Sequence, residues 1–248
     1  MARVAEICCG SLEDSIIAEK AGADRIELNN AMYLGGLTPS IGTINEVLKN
    51  CQIPVVVMVR PRPGGFYYND YEFNTMLTDI RLIAQYPIKG IVFGCLTESR
   101  EIDEYKTSKI IDLANQNNLE TIFHRAFDCV GNPYRSIEKL IKMGVKRVLT
   151  SGLQPKAEAG IEVLVKLQKV YGNDIEILVG SGVNASNCAR LIQKTDIKQY
   201  HSSCRSWRND PTTVGNVSYS YAKSPNEEQY EIVSYEKAVE FVKAVKGN

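Results

Sequence analysis

The stretch Val4-Ala-Glu-Ile-Cys-Cys-Gly-Ser-Leu-Glu-Asp-Ser-Ile-Ile-Ala-Glu-Lys-Ala-Gly-Ala-Asp-Arg-Ile-Glu-Leu28 sets the repeating unit of this chain. It opens on a short apolar run, Val4–Cys8. Ser11-Leu-Glu-Asp14 follows as a capping-box-like helix start, and Ile16, Ile17 and Ala21 continue at helical spacing. Ala21-Gly-Ala-Asp24 is a glycine turn of the kind that ends a helix, and Arg25–Leu28 is a second apolar run. Strand, helix, turn and strand in this compass make a βαβ unit with parallel strands.

The unit recurs. Further apolar runs lie at Pro54–Val59, Gly90–Phe93, Glu120–His124, Arg147–Thr150, Ile175–Val179 and Gln199–Ser202, eight in all with the first two. Helical patterns fill Asn69–Tyr86, Asp103–Asn118, Pro133–Met143, Ala157–Tyr171 and Ala185–Thr195, and a last one runs Ser234–Lys246. Eight strands alternating with helices over 248 residues predict an α/β chain folded as a (β/α)8 TIM barrel. The strands are continuously apolar, as parallel strands buried on both faces must be. A doubly wound open sheet competes, but it ordinarily uses fewer units. With no linker or low-complexity tract, residues 1–248 read as a single barrel domain, with a long loop, 204–233, overhanging the mouth after strand eight.

Lys plus Arg and Asp plus Glu number 29 each, so no bulk positive field exists to hold nucleic acid or an anionic membrane. No apolar run reaches the ~20 residues of a membrane span, and the start has no signal-peptide pattern, so a cytoplasmic protein is expected. Seven cysteines without any Cys-x-x-Cys argue against a disulfide framework or a structural zinc site.

In such barrels the chemistry sits at the C-terminal strand ends. Glu6 and Glu27 come from strands one and two, and Arg60 and Arg62 follow strand three. His124, Arg125 and Asp128 follow strand five, and Thr150 and Ser151 strand six. Gly180-Ser-Gly182 follows strand seven, and His201, Ser202 and Ser203 come from strand eight. Strand four ends in Gly94-Cys95. Buried carboxylates are costly unless paired, so Glu6 and Glu27 are either ion-pair partners of Arg60 and Arg62 or functional acids and bases. The chain has only two histidines, His124 and His201, and a lone strand histidine is commonly a hydrogen-bonded core residue. Two of them beside two Glu and several Arg favour a site. Glu6, Glu27, His124 and His201 are the candidate catalytic residues. Arg60, Arg62, Arg125, Thr150, Ser151, Gly180, Gly182 and Ser202 are the candidate ligand-binding residues, with the Gly180–Gly182 turn shaped like a phosphate cradle. Asp128 either caps the next helix or fixes His124 or Arg125. No lysine stands at a C-terminal strand end, which argues against Schiff-base chemistry.

Strands eight, one and two are neighbours, so His201, Glu6 and Glu27 can converge on a divalent metal, with His124 as acid or base across a substrate. A metal-free pocket in which Arg and His bind a small anion is the other arrangement.

The blocks Glu6-Ile-Cys8, Gly22-Ala-Asp-Arg-Ile-Glu-Leu28, Gly35-Gly-Leu-Thr-Pro-Ser40, Arg60-Pro-Arg62, Phe123-His-Arg-Ala-Phe-Asp128, Arg147-Val-Leu-Thr-Ser-Gly152 and His201-Ser-Ser203 resemble the CutC copper homeostasis family. The resemblance runs from about residue 4 to residue 207. It implies a cytoplasmic (β/α)8 barrel, commonly a homo-oligomer, tied to copper tolerance and Cu(I) binding. Cys8 is the metal ligand it implies. Many members carry a second Cys directly after the Glu-Leu of strand two, where this chain has Asn29, and an acidic residue before Phe66, where it has Gly65. Two functions follow: copper binding, and acid-base catalysis on a small phosphate- or carboxylate-bearing metabolite. A metabolite-sensing barrel without catalysis is a third.

Overall fold

The computed structural model describes residues 2–247. Eight parallel strands close into a barrel in sequence order: β1 (Val4–Cys9), β2 (Arg25–Leu28), β3 (Val55–Met58), β4 (Gly90–Phe93), β5 (Glu120–Phe123), β6 (Arg147–Thr150), β7 (Glu176–Val179) and β8 (Gln199–Ser202). All eight expected runs are strands. The ring shuts where β1 pairs with β8, with Glu6 opposite His201.

The outer helices are α1 (Leu12–Lys20), α2 (Ile41–Asn50), α3 (Asp70–Ile83), α4 (Glu104–Gln116), α5 (Pro133–Lys142), α6 (Ile161–Tyr171), α7 (Ala185–Thr195) and α8 (Tyr235–Lys246). Ser11, Ser40, Asn69, Asp103, Asn132, Asn184 and Ser234 each cap a helix by accepting a backbone N–H, worth about 1 kcal/mol apiece. α2 was not expected from the sequence. Its apolar positions are few, but Ile44 and Val47 bury one face against the barrel.

Two apolar layers result. The large one lies between strands and helices and includes Ile7, Cys9, Ile26, Leu28 and Phe93. A small one, Val56, Met58, Val92 and Ile122, fills part of the barrel interior. Beneath it a polar chain closes the N-terminal end. Arg25 bonds Glu6 and Gln199, Gln199 donates to Glu176, and Arg147 joins Glu176 at 2.5 Å and Glu120 at 3.4 Å.

The segment read as a loop, 204–233, is partly ordered structure. β9 (Arg205–Asn209) and β10 (Gln229–Val233) form an antiparallel hairpin. Arg208 grips Glu13 of α1 with two bonds, and Val233 donates its N–H to the buried Asp14 carboxylate at 2.7 Å. β9, Arg205-Ser-Trp-Arg-Asn209, and β10, Gln229-Tyr-Glu-Ile-Val233, are short and largely polar and show little apolar periodicity, which is why the sequence pattern did not reveal them. Among the described residues, no helix is long and apolar enough to cross a membrane.

Candidate functional site

The barrel mouth holds a cavity of about 220 Å³ lined by Cys8, Glu27, Asn29, Arg60, His124, His201 and a few apolar side chains. A larger groove, about 480 Å³, lies between the starts of α7 and α8. None of its lining residues carries a buried, unpartnered polar side-chain atom, whereas Glu27, Asn29, Arg60 and His124 of the smaller cavity all do. The smaller cavity is therefore where unused hydrogen-bonding capacity is concentrated.

One wall comes from β8, β1 and β2. Pleat alternation turns Glu6, Cys8, Arg25 and Glu27 into the barrel. Glu6 is buried between the Arg25 guanidinium and His201, whose Nδ1 lies 2.7 Å from Glu6 Oε1. Burial alone would raise the Glu6 pKa, but Arg25 and His201 outweigh it and hold the carboxyl at about 2. Burial also disfavours charge on His201, and Glu27 with Glu6 overcomes this to raise its pKa. Arg25, not Arg60 or Arg62, is thus the arginine partner of Glu6. Its register position opposite Glu6 on β2 explains why.

The far edge of His201, Nε2, faces Glu27 Oε2 at 3.9 Å. Cys8 Sγ lies 3.2 Å from the same oxygen, and Asn29 Nδ2 donates to it at 2.8 Å. Donor atoms of Cys8, Glu27 and His201 lie within 4.8 Å of one another, a spacing that could hold a metal ion. Burial and the Glu27 charge push the Cys8 thiol pKa well up, so without a metal it stays protonated and donates to Glu27.

The opposite wall is β5 and the loop after β3. His124 Nδ1 accepts the Ala126 N–H at 3.1 Å. Burial and the Arg60 charge pull its pKa to about 3, so the ring is neutral and carries its proton on Nε2, which has no partner. A neutral imidazole presents a hydrogen-bond donor here, and the expected base role does not suit it. Gly94 makes the packing possible: a Cβ there would lie 2.5 Å from the His124 ring. Phe66 covers the ring at 4.8 Å between centroids. Arg60 is buried, with its terminal nitrogens fixed by the carbonyls of Leu34, Gly36 and Gly64, while its Nε is unpartnered.

Other candidate residues support this frame. Arg125 lines the rim and bonds Asp128 at 2.8 Å and Ser151 Oγ at 3.0 Å. Asp128 is the hub there, accepting from Thr150 Oγ1 and from the Ser151 and Leu153 N–H groups, so Thr150 and Ser151 face it and not the cavity. Asn132, not Asp128, caps α5. Arg62 pairs with Glu72 and the Gly65 and Tyr67 carbonyls, away from the cavity lining. Gly180 sits beneath Leu149 and His201, Gly182 packs on the Lys156 stem, and Ser202 Oγ donates to the Val183 carbonyl. Gly182 and Ser202 line the groove between α7 and α8, whereas Gly180 lines neither space and packs behind Leu149 and His201 of the smaller cavity.

The sequence reading missed Arg25, Gly94, Phe66 and Met32, which lies 3.5 Å from Cys8 Sγ. Arg25 was legible from alternation with Glu27, since both face inward. The others depend on loop paths that no local pattern encodes.

The CutC family model matches residues 3–206. A family protein CutC of Treponema denticola is 40% identical over 242 residues, covering 97% of this chain and 98% of its own. The human copper homeostasis protein cutC homolog is 37% identical over 227 residues, covering 92% and 82%. A CutC crystal structure from Streptococcus agalactiae superposes with a TM-score of 0.76 at 34% identity, over 81% of this chain and 98% of that one. A phosphoribosyl anthranilate isomerase of Thermotoga maritima, at 13% identity and a TM-score of 0.59, shares the fold alone.

Proposed function

The chain belongs to the CutC family, and from that premise we propose that it holds a metal ion at the barrel mouth, with Cys8, Glu27 and His201 as ligands. The observation that carries this is the convergence of a thiol, a carboxylate and an imidazole within 4.8 Å. Three further features support it. Glu27 Oε1 is buried with no partner, an orphan that a cation would satisfy. Glu6 fixes His201 through Nδ1 and leaves Nε2 forward, the carboxylate–histidine arrangement that orients metal ligands. Asn29 steadies both Glu27 and the Cys8 sulfur. Copper is the ion to which the relatives' names point, and a site with a thiolate and an imidazole suits it. Seven unpaired thiols support a reducing, cytoplasmic setting.

A bound cation would polarise whatever shares the cavity. This chain's own residues orient His201 and place a donor, His124 Nε2–H, on the facing wall. Binding must displace protons from Cys8 and His201, so affinity rises with pH. The test is titration of reduced protein with Cu(I) against a competing chelator, for wild type and Cys8→Ser. One tight equivalent that disappears in the variant supports the reading. Unchanged weak binding removes it.

The second wall favours a companion role. His124 Nε2–H and Arg60 Nε–H are buried and unpartnered, and Arg125 stands at the rim of the same space. We propose that they receive a small carboxylate- or phosphate-bearing ligand, which would make the barrel an enzyme or a sensor of that metabolite. Crystals soaked in sulfate should show the anion within hydrogen-bonding reach of these groups. A cavity holding only water at saturating sulfate would refute it.

A further inference from the structure

The geometry points to Met32 as a second sulfur ligand beside Cys8, making a two-sulfur site that takes Cu(I) in preference to Zn(II). This rests on the metal reading above and adds a residue and a selectivity to it. Cys8 lies where two spaces meet. One is the mouth cavity. The other is a crevice of about 20 Å³ whose lining includes Cys8, Gly10, Asp14, Met32 and Ser203. A site needs roughly 10–15 Å³ to hold a single water, so the crevice suits one bare ion and no metabolite.

Cys8 Sγ and Met32 Sδ are 3.5 Å apart across it. A thioether is an uncharged, soft donor. It adds little for Zn(II), which prefers thiolate, imidazole and carboxylate, and much for Cu(I). A methionine used only as filler would pack as well with sulfur turned elsewhere. Here the sulfur meets the one thiol that also touches Glu27 and Asn29.

The loop that carries Met32 is clamped. Asn30 and Leu37 bond each other's backbone in both directions, closing residues 30–37 into a ring. Arg60 Nη1 binds the Leu34 and Gly36 carbonyls from below. Gly36, at φ +84°, lets Asn29 come so close that a Cβ would lie 2.3 Å from Asn29 Oδ1. That approach turns Asn29 Nδ2 toward Cys8 Sγ at 3.2 Å, an N–H···S contact that fixes the position of the sulfur. Asn29 therefore supports the sulfur it cannot replace, and Met32 supplies the second soft atom. Imidazole Nε2 of His201, already grouped with Cys8, is the third donor.

The experiment uses reduced full-length protein in two competition titrations, Cu(I) against bicinchoninate and Zn(II) against a chromophoric chelator, with X-ray absorption of the Cu(I) form. Met32→Leu keeps the volume, and Met32→Gln serves if the leucine variant misfolds by circular dichroism. We expect two sulfur neighbours per copper in wild type. In Met32→Leu the count should fall to one and Cu(I) affinity at least tenfold, with Zn(II) affinity within about twofold. Unchanged Cu(I) affinity and an unchanged sulfur count in the variant would overturn the role of Met32 and leave the metal site standing. Absence of stoichiometric Cu(I) binding by wild type would overturn the metal reading and this inference together.

Discussion

Replacing Glu6 by Gln probes how the barrel positions His201. Glu6 is 1% exposed and accepts from both Arg25 and His201. Glutamine keeps the shape and removes the charge. The guanidinium of Arg25 is then left in the interior without an anion, and an amide N–H or a lone oxygen must face His201. The displacement of the Glu6 pKa from 4.5 to about 2 corresponds to about 3 kcal/mol at 1.36 kcal/mol per pH unit. Breaking a buried pair by removing one partner costs roughly 3–5 kcal/mol, which agrees. For a chain of this length that lowers the melting temperature by about 6–12 °C. Because the folded-state pKa of Glu6 is depressed, its stabilisation is complete above the unfolded value near 4.5 and is lost as pH falls through about 2. The gap between wild type and Glu6→Gln should thus be full at pH 7 and shrink progressively below pH 4.5. Calorimetric melts at pH 7 and pH 3 measure it, and NMR titration of His201 should show its pKa falling in the variant. A melting temperature within about 2 °C of wild type at pH 7, or a gap that persists unchanged at pH 3, would refute the reasoning.

Three further outcomes are expected. His124 has a folded-state pKa near 3 against 6.5 unfolded, so the unfolded chain binds the extra proton between these values and stability declines as pH falls through that window. Urea unfolding should show the wild type losing roughly 2 kcal/mol between pH 6.5 and pH 5 through this residue, a loss that His124→Gln abolishes. Gly94→Ala forces a methyl to within 2.5 Å of the His124 ring and 2.8 Å of Ala126 Cβ. The overpacking should cost about 1–3 kcal/mol, and a crystal structure should show the imidazole displaced. Asp128→Ala strips partners from Thr150, Ser151, Leu153 and Arg125, and a chemical denaturation curve should register a loss of about 2–4 kcal/mol.

Much of this was legible before any tertiary contact was known. Alternating apolar runs and helix starts are local signals, and β1–α1–β2 already carries the whole repeat: Ser11 caps the helix it was expected to cap, and Arg25–Leu28 forms a strand. The inward set followed from strand alternation, which is why Cys8, Glu27 and His201 converge and Glu6 meets His201 from behind. Arg60 and Arg62 show the limit. Two residues apart in one motif, both hold carbonyls of the loop that follows, yet one is buried under the 30–37 loop and the other lies outside on Glu72. Nothing in Arg-Pro-Arg states which loop will fold back over which arginine.

The sequence by itself determined the barrel, because the hydrophobic pattern of strand and helix acts over a few residues and repeats eight times. It also determined which side chains face inward on each strand, because the pleat has a period of two. Only the tertiary structure decided the chemistry of the inward groups. Arg25 silences Glu6 as an acid, desolvation beside Arg60 makes His124 a neutral donor, and closure of β8 onto β1 brings His201 to Glu27. Those outcomes depend on distance and burial between residues far apart in the chain, and Cys8 and Met32 meet for the same reason: a loop clamped by Arg60 delivers one sulfur to another.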